Sequence, residues 1–236
     1  MKSLPKVLVY TEHPMCSIAC ADAVCDILNS TLEYDVRMFG KDSFPILQDK
    51  ETFFNSDCIV FPGGDGDSDQ FDNFLFTYKN EVKDYVTNGG IYLGICMGSY
   101  FAGQHYFDIL DPRLNYTQYV RRPNSTIHKT TPNIVELKWL NKQTKMYFHD
   151  GASFFPKNKK DTLDGIKIYG TYKNKDIAAL IYNYGKGKVG LIGPHPEASK
   201  WWFYCQSKIK DGWHDCIQHN LFISFFKCLM NKSLYE

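Results

Sequence analysis

Three short segments, "KVLVYT" (6–11), "CIVFPGG" (58–64) and "IYLGIC" (91–96), are apolar through their strand positions rather than at every second residue. A strand with two apolar faces must be covered on both, which happens in a parallel sheet flanked by helices. The intervening sequence supplies those helices. "CSIACADAVCDILN" (16–29) has apolar residues near helical spacing, and the stretch from Phe71 to Asn88 predicts a helix that "NGG" ends. "YDVRMFG" (34–40) reads as a further strand, and a second helix is expected from near Met97. The fold class is therefore α/β, with a central mostly parallel sheet and helices on both faces. Such sheets place their sites at the carboxyl ends of the strands. Here "TEHP" (11–14), "PGGDGD" (62–67) and "GICMG" (94–98) should converge on one crevice.

The pattern changes after residue 110. Residues 111–133 are polar, carry Pro112, Pro123 and Pro132, and are expected to form a long surface connection. Beyond them "IVELKWLN", "KMYFHDG" and "IKIYGTY" read as strands, and "AALIYNY" and "KVGLIG", joined by "GKG", as a C-terminal β-hairpin. "HDCIQHNLFISFFKCLMN" (214–231) has one apolar helical face and should pack back on the sheet.

Composition limits the function classes. With 27 Lys and Arg against 26 Asp and Glu, the net charge of +1 gives no field for nucleic acid or an anionic membrane. No apolar run approaches the ~20 residues that span a bilayer, and the N-terminus has no long secretory apolar region. A cytoplasmic protein with residues 1–236 as one domain is expected. In that setting the eight cysteines read as mostly free thiols. Cys16, Cys20 and Cys25 sit at near-helical spacing, but without a CxxC pair they read as ordinary buried residues rather than metal ligands. "DGDSD" (65–69) fails the later positions of a calcium loop and reads as a solvated loop.

The chemistry concentrates at two places. G-x-C-x-G at a strand-to-helix junction is a nucleophile elbow, a tight turn that exposes the central side chain. Cys96 would then stand at a helix N-terminus, whose N–H groups stabilise negative charge on sulfur. "HPE" follows the last strand. Residues two apart in an extended chain face the same side, so Glu197 can fix the tautomer of His195. Cys96, His195 and Glu197 form a candidate Cys-His-Glu triad. The N–H groups of Gly64 and Met97 are the candidate oxyanion hole. "KWWFY" (200–204) reads either as a cap on the pocket or, more simply, as a core-facing helix start.

"FPGG", "GICMG" and "HPE", in this order, resemble the class I glutamine amidotransferase-like superfamily. The similarity is closer to the N-terminal domain of biotin-protein ligases, including its standalone form, at "VLVY", "VFPGG", "GICMGSYFAG", "YFHDGASFF" and "GKGKVGLIGPHPE". The resemblance implies a flavodoxin-like sheet. It also implies Cys96 as nucleophile, His195 as acid-base and Glu197 as its orienting group, with Gly63, Tyr100, His149 and Asp150 at the substrate pocket. Two positions depart from the pattern. Tyr100 stands where amidotransferases carry a glutamine that holds the substrate, and His149 stands where the family often has Asn. No segment corresponds to the biotinyl-adenylate loop of the ligases, so the chain is not expected to biotinylate by itself.

Two functions follow. One is a cysteine hydrolase or amidotransferase-like enzyme acting on a small-molecule or peptide amide. The other is a non-catalytic ligand-binding or regulatory module, compatible with a protein partner. A redox-sensing cysteine is a third, against which the HPE pair speaks. No cofactor, metal, nucleic acid or membrane is expected.

Overall fold

The computed structural model describes residues 3–12, 16–40, 50–64, 72–158, 160–205, 209, 212–213 and 216–231. Strands β1 (Lys6–Tyr10), β2 (Asp35–Phe39), β3 (Cys58–Phe61) and β4 (Ile91–Ile95) alternate with helices α1 (Ile18–Ser30), α2 (Lys50–Phe54) and α3 (Asp72–Thr87). A single turn, α4 (Met97–Tyr100), follows β4 directly. Then come β5 (Leu114–Gln118), β6 (Asn133–Trp139), β7 (Lys142–Phe148), β8 (Ala152–Pro156), β9 (Ile166–Tyr172), β10 (Ile177–Tyr184) and β11 (Gly187–Ile192). Helices α5 (Lys200–Tyr204) and α6 (Ile217–Met230) follow.

Among the described residues eleven strands join one sheet, along the path β2-β1-β3-β4-β11-β10-β9-β6-β7, with β5 and β8 paired off it. The α/β class holds, and β3 and β4 are buried at every residue, as strands covered on both faces must be. The parallel expectation holds for β2, β1, β3, β4 and β11. From β10 onward every pairing is antiparallel, so the sheet is mixed rather than mostly parallel. The expected hairpin forms between β10 and β11, and its second strand lies parallel to β4, in register Ile192 with Ile95. That insertion sets the end of β11 beside the end of β4.

Residues 111–133 differ from the expected surface connection. They contain β5, which pairs with β8 from Leu114↔Pro156 to Gln118↔Ala152, and a helical turn over Tyr119–Arg121. "LNYTQ" is only half-buried over most of its length, so no apolar pattern announces it. The helix expected from Met97 stops after one turn. The chain folds back there, and the N–H groups of Phe107 and Ile109 donate to the carbonyls of Phe101 and Ala102, both at 2.9 Å.

Helix α6 forms as expected and buries Phe222, Phe225, Phe226 and Leu229. Each such side chain removed from water contributes roughly 1.5–3 kcal/mol. "DGDSD" lies outside the described residues. Among the described residues no helix is long and apolar enough to cross a membrane.

Candidate functional site

Cys96 stands between β4 and α4 with φ 48° and ψ −108°, a conformation that non-glycine residues adopt only when the surroundings enforce it. Three hydrogen bonds enforce it here. The Cys96 N–H donates to the Ile192 carbonyl at 2.8 Å, and its own carbonyl accepts from Ser99 Oγ at 2.6 Å and from the Ser99 N–H at 3.0 Å. The elbow also presses on β3, because a Cβ placed on Gly98 would lie 1.7 Å from the Phe61 carbonyl oxygen. The glycine is needed for close approach, while the strained dihedrals fall on the cysteine itself.

His195 and Glu197 leave β11 beside this elbow. The His195 N–H donates to the Tyr147 carbonyl at 2.9 Å, and its Nδ1 lies 2.8 Å from Glu197 Oε1. Both side chains are enclosed, at 4% and 0% exposure. Burial alone would lower the protonation equilibrium of His195. The neighbouring Cys96 and Glu197, through charge and hydrogen bonds to the ring, outweigh that and raise it well above the ordinary imidazole value. The structure thus brings Cys96, His195 and Glu197 together. In the resting geometry Cys96 Sγ also donates to the His149 carbonyl at 3.4 Å.

The residues expected at the pocket separate into two groups. Gly64 and His149 line a cavity of about 140 Å³ together with Cys96 and His195. Gly63 is buried and accepts a hydrogen bond from the Ser17 N–H at 2.9 Å. Met97 follows the nucleophile but is not among the described residues that line the cavity. Tyr100 reaches the far side of the loop, donating its hydroxyl to the Asp150 carbonyl at 3.0 Å. Asp150 accepts from Gln118 Nε2 at 2.5 Å, and burial raises its carboxyl above the usual range. The His149 side chain is exposed, so it is the backbone of this residue that meets the thiol.

Sequence reasoning missed Cys20 and Tyr147 in the cavity wall and placed "KWWFY" only in part. Phe203 packs inward with Tyr147 and Ala198, while Trp202 faces the cavity with its ring 5.6 Å from that of His195. The helical periodicity of α1 marked Cys20 as buried, yet nothing local tells which strand end it covers. None of the eight cysteines is in a disulfide, and five of them are buried.

The family described as biotin-protein ligase, N terminal, matches residues 5–122, half of the chain. The chain belongs to this family. The matched region contains the elbow and β1 to β4, whereas His195 and Glu197 lie beyond it. A biotin-protein ligase of Schizosaccharomyces pombe is 30% identical over 165 residues, which is 60% of this chain and 25% of the relative. The chain therefore aligns with only a quarter of that ligase. Among solved structures, a glutamine amidotransferase from Thermotoga maritima superposes with a TM-score of 0.60 at 12% identity, covering 98% of this chain and 100% of the other. A protein described as a GMP synthase component from Thermoplasma acidophilum gives 0.57 at 13% identity, covering 96% and 94%. At these identities the likeness establishes the amidotransferase-like fold.

Proposed function

We propose that this member of the biotin-protein ligase N-terminal family is a cysteine-dependent hydrolase or amidotransferase-like protein acting on an amide carbonyl. The observation that carries the reading is the strained Cys96 facing a buried His195 that is tied to Glu197 at 2.8 Å. Cys96 Sγ attacks the carbonyl carbon as His195 takes the thiol proton, and the carbonyl π electrons move to oxygen. The Gly64 and Met97 N–H groups receive that oxyanion. His195 then protonates the leaving amine, and water, deprotonated by the same imidazole, releases the acid and restores the thiol. Glu197 holds the ring and stabilises its charged form. Gly63, Tyr100, His149 and Asp150 shape the substrate side, and the continuous sheet supports treating residues 1–236 as one domain.

Iodoacetamide alkylation of Cys96 at neutral pH, followed peptide by peptide, tests the pairing. His195→Ala is expected to slow it about tenfold or more, because removing a positioned base costs at least that much. An unchanged rate sinks the triad mechanism.

One observation favours the second reading, a non-catalytic ligand-binding module. The Cys96 thiol donates to a carbonyl in the resting geometry, an arrangement that suits a thiol rather than a thiolate. Under this reading a small amide ligand raises the melting temperature while no amine is released.

A further inference from the structure

The amide chemistry leaves two buried groups in this region without a task. Glu197 Oε2 has no hydrogen-bond partner among the described residues, although the side chain is fully enclosed. Enclosing an unpaired carboxylate oxygen is costly. The other group is Cys20, in the first turn of α1 and 7% exposed.

These two groups and His195 are close neighbours. Their ligand atoms all lie within 4.8 Å of one another. Gly63 acts as a ruler for the arrangement. A Cβ built on it would lie 3.1 Å from Cys20 Sγ, 3.4 Å from His195 Nδ1 and 2.5 Å from His195 Cε1. Thiol and imidazole thus both face Gly63, and Glu197 Oε1 reaches the ring at Nδ1, at 2.8 Å.

We propose that Cys20, His195 and Glu197 form a zinc(II) site. Thiolate, imidazole and carboxylate together suit zinc, which binds them at about 2.0–2.3 Å. Ligands at those lengths on a tetrahedral ion stand roughly 3.4–3.7 Å apart, within a small side-chain adjustment of the spacing here. Cys20 and His195 line the cavity, so water can occupy the fourth position. This departs from the metal-free site expected from the sequence.

On binding, the Cys20 thiol and the His195 imidazolium, at Nδ1, each give one proton to solvent, and the Glu197 carboxylate coordinates as it stands. His195 binds through Nδ1 as the neutral imidazole, with its single proton on Nε2. The ring then has no lone pair left to take the Cys96 proton. Zinc would hold the cysteine centre at rest, a consequence that depends on the triad reading although the site itself does not.

The test uses the full chain and zinc ion alone, by equilibrium dialysis. Wild type should bind one zinc, Cys20→Ser about tenfold more weakly or worse, and a variant lacking the exposed thiols Cys205 and Cys216 as tightly as wild type. Circular dichroism checks that Cys20→Ser is folded. Cobalt(II) should give a thiolate-to-metal charge-transfer band in wild type that Cys20→Ser lacks. Equal binding by wild type and Cys20→Ser, or binding by neither, overturns the site. Zinc should also slow Cys96 alkylation in wild type and leave Cys20→Ser unaffected. Zinc that binds through Cys20 without slowing Cys96 overturns only the resting-state consequence. The His195→Ala comparison in zinc-free protein tests the triad separately, so the two failures are distinguishable.

Discussion

The parallel and antiparallel halves of the sheet divide the work of the site. The parallel half, β2-β1-β3-β4-β11, supplies Cys96, Gly64, His195 and Glu197 from strand ends and the loops that follow them. The antiparallel half supplies a wall: Tyr147 beside the imidazole, the His149 carbonyl over the thiol, and Asp150 held by Tyr100 and Gln118. In the first half backbone touches backbone at the elbow. In the second, the backbone bond from the His195 N–H to the Tyr147 carbonyl is joined by side-chain hydrogen bonds from Tyr100 and Gln118. The proposed nucleophile and base thus rest on backbone contacts, and the proposed substrate-side groups rest in part on side-chain contacts.

Three perturbations probe that contrast. The largest effect is expected at the elbow: Gly98→Ala sets a methyl group against the Phe61 carbonyl, which cannot rotate away, and should cost about 3 kcal/mol in urea denaturation. A loss below about 1 kcal/mol would show that this half yields as readily as the other. Asp176→Ala should cost less, about 2 kcal/mol. It removes the carboxylate that accepts from Arg122 Nε at 2.6 Å, Arg122 Nη2 at 3.1 Å, Asn174 Nδ2 at 2.7 Å and Ser153 Oγ at 3.2 Å. If the contrast is right, Cys96 alkylation stays within about threefold of wild type in this variant, since no contact of the elbow has been touched.

The smallest effect concerns Cys25, on α1 in the parallel half, whose thiol burial pushes up to about 12. An unfolded cysteine releases its proton near pH 8.5, so the unfolded state binds fewer protons than the folded one between about pH 8.5 and 12. Stability should fall with rising pH over that window, and Cys25→Ala should flatten the fall. An identical slope in both proteins would remove Cys25 from the account.

The same contrast explains what the sequence disclosed. Strands β3 and β4 were legible because burial on both faces excludes polar residues. His195 and Glu197 do meet, but across a turn in which the Ala198 N–H donates to the His195 carbonyl at 3.3 Å, not along the extended chain from which their pairing was argued. Strand β5 was not, since "LNYTQ" becomes a strand through pairing with β8 rather than through its own pattern. Cys20 shows the same limit. Periodicity put it on the buried face of α1, but its position beside His195 depends on where Ser17 and the start of that helix meet Gly63.

One hydrogen bond described at the elbow has a wider meaning. The Cys96 N–H donates to the carbonyl of Ile192, only three residues before His195. Thiol and imidazole are thus aligned by the pairing of β4 with β11, in the way that teeth on two racks are aligned. A slip of one residue along β11 would carry His195 about 3.3 Å and turn it to the opposite face of the sheet. Alignment of the pair is therefore a digital property of strand register. Changes elsewhere should either leave it intact or abolish it, with few intermediate outcomes.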